Sequence, residues 1–370
     1  ASSDNEHNTP LSMAAWKGHS ACVKLLLAAP DIDVNKADKD GSTPLFWAAW
    51  EGHSACVKLL LAAPDIDVNK ADKDGSTPLF WAASIGHSAC VKLLLAAPDI
   101  DVNKANKDGE TPLYWAAWEG HSACVKLLLA APGIDVNKAN KYGRTPLYWA
   151  ARDGHSECVK LLLAAPDIDV NAADEYGRTP LYWAVWEGHS ECVKLLLAAP
   201  DIDVNKAEKD GSTPLSWAAR DGYTECVKLL LAAPDIDVNK ADNEGYTPLF
   251  WAARKGRTEC VKLLLAAPGI DVNKTNKNGE TPLTAAAYDG RTECVRLLLA
   301  VPGIDVNKAN EHGWTPLTEA AYNGRTECVK LLLAAPGIDV NKADKYTWTP
   351  LTAAVYNGHT ECARLIREAG

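Results

Sequence analysis

The chain has 370 residues, and its 48 acidic residues exceed its 38 lysines and arginines to give a formal net charge of −10. General electrostatic binding to nucleic acid or to anionic membranes requires a basic surface, so this charge argues against both functions. The longest apolar runs, of which 59–64 is an example, are far shorter than the ~20 residues that cross a bilayer. We therefore expect neither nucleic acid nor a membrane as a partner, and we predict a monomer.

A single unit of 34 residues recurs along the chain. Thr-Pro-Leu stands at 9–11 and at every 34th residue until 349–351, and one cysteine keeps the same interval from Cys22 to Cys362. A constant period of this length is typical of repeat proteins in which each unit packs against its neighbours. We predict one repeat domain over 1–370, with the first and last units as caps. The units are 4–37, 38–71, 72–105, 106–139, 140–173, 174–207, 208–241, 242–275, 276–309, 310–343 and 344–370.

Each unit predicts two helices. In the unit 38–71, Thr43 is placed to cap a first helix that has proline at its first position, and Gly52 is placed to end it. Ser54 is placed to cap a second helix, which Pro64 would stop because the residue before proline disfavours helical geometry.

The motifs in these units resemble the ankyrin repeat. Gly-x-Thr-Pro-Leu-x-x-Ala-Ala-x-x-Gly-His fills the first half of the unit and Asp-Val-Asn closes the second, over residues 4–370. Tetratricopeptide repeats share the period of 34 residues, but their first helix has a pattern of tryptophan, leucine-glycine and tyrosine that these units lack. The resemblance implies an all-α solenoid of eleven stacked helix–turn–helix units with short β-hairpin-like finger loops.

Two departures from the family have structural consequences. An ankyrin unit has about 33 residues, and the additional residue here lies in Ala-Pro-Asp/Gly-Ile, where we expect proline to replace glycine at the end of the second helix. The family's histidine after Thr-Pro-Leu is also missing, because residues such as Phe46, Tyr114 and Thr284 replace it. Other groups must then make the hydrogen bonds of that histidine.

The resemblance also implies a binding surface. In the ankyrin family, the turn tip, the residue before Thr-Pro-Leu and the variable positions of the first helix line a concave groove and its finger loops. The framework is nearly constant here, whereas the groove slots vary. Seven consecutive units share a tryptophan, which we call the tryptophan ladder: Trp47, Trp81, Trp115, Trp149, Trp183, Trp217 and Trp251. The ladder partners lie three residues on, at cation–π spacing where they are arginines: Trp50, Trp118, Arg152, Trp186, Arg220 and Arg254. The finger residues complete the candidate site: Tyr142, Tyr176, Tyr246, Trp314 and Trp348.

Several interpretations remain open from the sequence. The leading one is a protein- or peptide-binding scaffold, and near-identical repeats favour an engineered or consensus-like array over a natural duplication. The alternatives are a small-ligand or glycan site on an aromatic groove, and a passive structural or elastic spacer. The ladder could equally serve only to pack one helix on the next.

No residue pattern indicates chemistry. Cysteines, histidines and carboxylates recur in every unit, whereas catalysis requires a unique constellation. We therefore predict no enzymatic activity, no cofactor and no metal. The eleven cysteines have no metal-ligand spacing and read as small buried apolar residues. Free thiols and the lack of a signal-peptide pattern favour the cytoplasm or another reducing intracellular compartment.

Overall fold

The structure is a computed structural model that describes residues 9–370. Over these residues the chain consists of paired α-helices joined by turns, without a β-strand. The prediction of an all-α repeat fold is confirmed, and the finger loops are turns. The predicted first cap begins at residue 4, so its residues 4–8 lie outside the described part.

The first helix of each unit forms as the sequence predicts. In the unit 38–71 it spans Pro44–Trp50, and Thr43 precedes it in an extended conformation. The Thr43 hydroxyl accepts a hydrogen bond of 3.1 Å from the Phe46 backbone N–H. Gly52 follows the helix with a φ of 77°, the left-handed geometry that favours glycine. We call this helix the inner helix.

The second, or outer, helix begins differently from the prediction. It spans Ser54–Leu61, so Ser54 lies inside its first turn and the prediction of a Ser54 cap is wrong. His53 holds the cap position without a capping side-chain bond. Its Nε2 instead lies 3.1 Å from the Trp16 carbonyl oxygen of the preceding repeat. The histidine therefore links neighbouring repeats.

The outer helix ends before the proline that was expected to stop it. Its last residue is Leu61, and the left-handed residue is Asp65, which follows Pro64 and has a φ of 58°. Glycine occupies the equivalent position in other repeats, for example Gly133 with a φ of 73°. Proline thus does not replace the left-handed residue, because the chain still needs one to leave the helix.

The described residues form two compact units. In the first unit (9–175 and 198–202), inner helices pack on inner helices and outer helices on outer helices of the neighbouring repeats. Its helices are α1 (Pro10–Trp16), α2 (Ser20–Leu27), α3 (Pro44–Trp50), α4 (Ser54–Leu61), α5 (Pro78–Ile85), α6 (Ser88–Leu95), α7 (Pro112–Trp118), α8 (Ser122–Leu129), α9 (Pro146–Arg152) and α10 (Ser156–Leu163).

The second unit (176–197 and 203–370) repeats the same packing. Its helices are α11 (Pro180–Trp186), α12 (Ser190–Leu197), α13 (Pro214–Asp221), α14 (Thr224–Leu231), α15 (Pro248–Lys255), α16 (Thr258–Leu265), α17 (Pro282–Tyr288), α18 (Thr292–Leu299), α19 (Pro316–Tyr322), α20 (Thr326–Leu333), α21 (Pro350–Tyr356) and α22 (Thr360–Ala369). Within residues 9–370, no helix is both long enough and apolar enough to cross a membrane.

The core repeats from one unit to the next. Leu45 and Ala48 of the inner helix and Val57 and Leu60 of the outer helix are fully buried. Ten of the eleven cysteines are buried beside them, as predicted, whereas Cys22 in α2 is exposed. Because the buried set is the same in each repeat, the framework fixes the inner helices and leaves their outward slots free to vary.

Candidate functional site

Most residues of the tryptophan ladder connect their inner helix to the finger turn of the same repeat. The indole Nε1 of Trp47 donates a hydrogen bond of 3.1 Å to Asp38 Oδ2, and Trp217 donates to Glu208 Oε1 at 3.0 Å. The other carboxylate oxygen of Asp38 accepts the Asp40 and Ser42 backbone N–H groups of the turn, each at 2.9 Å. A carboxylate nine residues before the ladder position thus holds both the indole and the turn.

The ladder and its partners form rows of contacting rings within each compact unit. In the first unit the ring centroids of Trp50 and Trp81 are 4.2 Å apart, and those of Trp118 and Trp149 are 3.9 Å apart at an interplanar angle of 14°. In the second unit the Trp186 and Trp217 centroids lie 4.3 Å apart. Most ladder indoles are half-buried, so ring faces and edges reach solvent while N–H groups are already bonded.

The predicted tryptophan–arginine pairs are confirmed. The Arg152 guanidinium carbon lies 4.7 Å from the Trp149 ring centroid, and the Arg220 carbon lies 4.5 Å from that of Trp217. Arg254 is less close to Trp251, at 5.8 Å. Such contacts contribute about 0.5–1 kcal/mol when exposed.

Trp149 differs from the other ladder residues because it is only 4% exposed. Its Nε1 donates to the hydroxyl of Tyr114 on the preceding inner helix, and Asn140 Nδ2 donates to the same oxygen at 2.9 Å. Burial is the largest cause of the raised pKa of Tyr114. Tyr114 stands at the slot after Thr-Pro-Leu, so here a tyrosine makes the bonds between repeats that the missing histidine would supply.

The finger residues are the most exposed part of the candidate site. Tyr142 is 41% exposed and Tyr176 is 48% exposed. The Arg144 guanidinium carbon lies 5.2 Å from the Tyr142 ring centroid, and that of Arg178 lies 4.5 Å from Tyr176. Each finger also receives a backbone hydrogen bond from the next, such as Lys141 N–H to the Asp108 carbonyl at 3.0 Å.

Family models of ankyrin repeats match almost the entire chain. A model for three copies of the repeat matches residues 1–72, 64–140, 132–208, 201–276 and 268–344, and a model for many copies matches 325–366. This chain belongs to the ankyrin-repeat family. Ankyrin repeats generally act as non-enzymatic scaffolds for interactions between proteins. No curated protein matches the chain.

The histidines and cysteines of these ankyrin repeats serve the framework. The imidazole of His87 lies 3.0 Å from the Trp50 carbonyl oxygen, and Arg257 makes the equivalent bond to the Arg220 carbonyl through Nε. Among the described residues, no three histidine, cysteine or acidic side chains are grouped to hold a metal ion. Burial raises the pKa of the Cys90 thiol to about 11, which leaves little reactive thiolate.

The last three ankyrin repeats contain a second group of residues, of which the sequence predicted Trp314 and Trp348 as finger residues but not Glu319, Tyr322 or Tyr356. The tryptophan ladder stops at Ala285, Glu319 and Ala353. There the finger residue Trp314 contacts Tyr322, with ring centroids 4.9 Å apart, and Trp348 contacts Tyr356 at 5.0 Å. Glu319 was not predicted as a site residue, although the break in the ladder was the signal that marked it.

Proposed function

We propose that this ankyrin array is a non-enzymatic scaffold that binds a protein or peptide across its inner-helix face. We define that face by the tryptophan ladder, the ladder partners and the finger residues. The general role of ankyrin repeats supports this proposal. The decisive observation is that a repeated, buried framework presents exposed residues that differ from one repeat to the next.

The finger tyrosines would anchor the partner. Tyr142 and Tyr176 are exposed aromatic residues at the finger tips of consecutive repeats in the sequence, and each lies beside an arginine. Tyrosine and arginine are enriched among the interface residues whose truncation weakens binding most. Neighbouring repeats carry Asp40 and Asp108 at the same tip, so the tips can distinguish partners.

The ladder would act as a rigid platform beneath those anchors. Finger carboxylates hold most of its indole N–H groups, as Asp38 holds that of Trp47, and its rings contact neighbouring rings. A surface that is already ordered loses little conformational entropy on binding. Trp149 is largely buried, so we assign it to packing within the platform.

The composition bears on the charge of the partner, the cellular compartment and the origin of the array. A net charge of −10 favours a partner with basic character. The buried thiols suit the cytoplasm or another reducing compartment. The near-identity of the repeats favours an engineered or consensus-like origin, in which the variable slots would have been chosen for binding.

Site-specific crosslinking would test which face binds. A photoreactive amino acid is placed at Tyr142 on a finger, and in a matched control at Lys126, which is exposed on the outer helix α8. We expect a discrete adduct in lysate from position 142 and none from position 126. The adduct should be lost when Arg144→Ala is added beside Tyr142, and retained when Lys160→Ala is added in α10. Equal adducts from both positions, or insensitivity to Arg144→Ala, would refute the proposed face.

A further inference from the structure

A cavity of about 570 Å³ lies in the last three repeats, within the second compact unit. It is lined by the two aromatic pairs Trp314 with Tyr322 and Trp348 with Tyr356. Each pair joins a finger tryptophan to the tyrosine at the C-terminal end of the inner helix of the same repeat, α19 or α21. Aromatic faces therefore bound the cavity from two successive repeats.

The cavity occurs where the tryptophan ladder ends. In α15 the ladder residue Trp251 fills its slot and its Nε1 donates to Asp242 at 3.4 Å. In the last three repeats that slot holds Ala285, Glu319 or Ala353. Two of these side chains are much smaller than an indole, and the third brings a carboxylate to the lining.

Three carboxylates complete the lining: Glu280, Glu319 and Asp344. Glu319 is 6% exposed, and its Oε1 accepts a hydrogen bond of 3.1 Å from Asn310 Nδ2. Within the described range 9–370 its Oε2 accepts no hydrogen bond, and Glu319 lines the cavity, so this oxygen is available to a ligand.

Asp344 is held as a carboxylate by a set of donors. Partial burial raises its pKa, but N–H groups of the Trp348 backbone, the Trp314 indole and the Tyr346 backbone outweigh this and leave the pKa below its ordinary value. The indole donates to Oδ2 at 3.0 Å, and the two backbone groups donate to Oδ1 at 2.8 Å each. No lysine or arginine is among the described residues that line the cavity.

We propose that this cavity binds an organic cation, namely an alkylammonium or guanidinium group. Aromatic faces attract such a cation through the negative potential of the ring, by up to about 2 kcal/mol where water is excluded. The free oxygen of Glu319 can accept a charge-assisted hydrogen bond from a cation that carries N–H groups. The proposal does not depend on whether the inner-helix face of the earlier repeats binds a partner.

The protonation of Glu319 makes binding depend on pH. Burial first, and then the negative charge of Glu280, raise the pKa of Glu319 to about 7, although the Asn310 hydrogen bond lowers it. A bound cation favours the ionised carboxylate, so binding should tighten as the pH rises through neutrality. The other titratable groups of the lining are Asp344, His312, Tyr288, Tyr322, Tyr346 and Tyr356.

Calorimetric titration with choline and with its uncharged isostere 3,3-dimethylbutan-1-ol would test the proposal. The two probes have the same shape, so a difference reports the charge. We expect choline to bind at least about tenfold more tightly, as 1.4 kcal/mol of cation–π attraction provides. The preference should weaken at about pH 5.5, where Glu319 is protonated. Equal affinity of the two probes, or binding of neither at millimolar concentration, would overturn the proposal.

Two substitutions locate the site. Glu319→Trp restores the ladder residue, which this chain already accommodates in seven repeats, including two with asparagine nine residues earlier. It should retain the far-ultraviolet circular dichroism of the protein and lose choline binding. Glu319→Gln should reduce the affinity and remove its pH dependence. Lys126→Ala, on the outer helix α8 of the other compact unit, is the control and should change neither. Unchanged choline affinity in folded Glu319→Trp would contradict the assigned site.

Titration with a peptide would show whether the natural cation is a side chain of another polypeptide or a free small molecule. The probe is a neutral peptide that carries one trimethyllysine, compared with choline and with the same peptide carrying norleucine. A peptide that binds at least about tenfold more tightly than choline identifies a modified or basic side chain of another polypeptide as the natural occupant. Equal affinities identify a free small-molecule cation. Binding of the norleucine peptide as tightly as the trimethyllysine peptide would overturn the proposal.

Discussion

Replacing Glu319 by glutamine should remove a loss of stability that the protein undergoes as the pH rises. The side chain lies on α19, is almost fully buried, and is held by Asn310. Burial is the main reason that its pKa is raised from 4.5 to about 7. Glutamine has nearly the same shape and keeps the oxygen that accepts from Asn310, so the substitution changes mainly the charge.

The magnitude follows from linkage between protonation and folding. Below pH 4.5 the carboxyl group is protonated in both the folded and the unfolded chain, and the stabilising effect of the raised pKa is fully present. As the pH rises, the unfolded chain loses this proton first, and the stabilisation is lost by about pH 7. The two pKa values differ by about 2.5, which corresponds to at most about 3.5 kcal/mol, since one pKa unit is worth ~1.4 kcal/mol.

Repeat arrays can unfold locally, so a local measurement is preferable to a global midpoint. Hydrogen exchange of the α19 and α21 amides would be compared between the two proteins at about pH 5 and about pH 8, after correction for intrinsic exchange. We expect similar protection free energies at the lower pH and higher protection of Glu319→Gln at the higher pH. Glu327→Gln on the exposed face of α20 is the control. An equal difference at both pH values, or a Glu319 carboxyl ¹³C titration centred near 4.5, would refute the reasoning.

Three further predictions concern the links between repeats. Asn103 donates to the Gly133 carbonyl at 2.7 Å and accepts from the Asp135 N–H at 2.9 Å. Asn103→Ala should therefore lower the free energy of unfolding by about 1–3 kcal/mol and speed hydrogen exchange at the Asp135 N–H. Unchanged exchange at that N–H would contradict the bridge. Asp167 has a φ of 62°, so Asp167→Gly should stabilise the protein by about 0.5 kcal/mol and raise its urea midpoint. Gly133→Ala, at the equivalent left-handed position, should destabilise it by about 1 kcal/mol and lower the midpoint. Changes of the opposite sign would exclude left-handed strain. A Cβ on Gly52 would lie 2.6 Å from the His87 ring, so Gly52→Ala should destabilise by about 2 kcal/mol in thermal unfolding, and a neutral effect would show that the ring can move.

The features that the sequence predicted correctly depend on short-range signals. Thr43 and the following proline define the start of the inner helix through groups three residues apart, and Gly52 marks its end. The cation–π pairs were also predictable, because residues three apart on a helix are neighbours, as Arg152 is to Trp149. Periodicity extended each local prediction to the whole array.

The features that were missed depend on where one repeat lies against the next. The hydrogen bond from Asn69 to the Asp99 carbonyl, 30 residues further on, is one example. Ser54 was expected to cap the outer helix, but the turn after Gly52 brings Ser54 into the first turn of the helix, and residue types alone do not define that turn. The cavity beside Glu319 needs side chains from successive repeats, and no single unit contains the pattern.

The ladder slot shows how the same framework can provide packing or a cavity. In four repeats the tryptophan at this slot donates to an acidic residue nine positions earlier, as Trp81 does to Asp72 at 3.2 Å. At Glu319 the direction of this hydrogen bond is reversed. The side chain at the ladder position accepts, and Asn310, nine residues earlier, donates. Both arrangements satisfy the finger turn, since Asn310 Oδ1 accepts the turn N–H of Trp314 at 2.9 Å just as an aspartate would. The turn therefore does not require an indole. Replacing the indole removes a ring from the slot and adds a buried carboxylate, and both changes favour a cation in the space that remains.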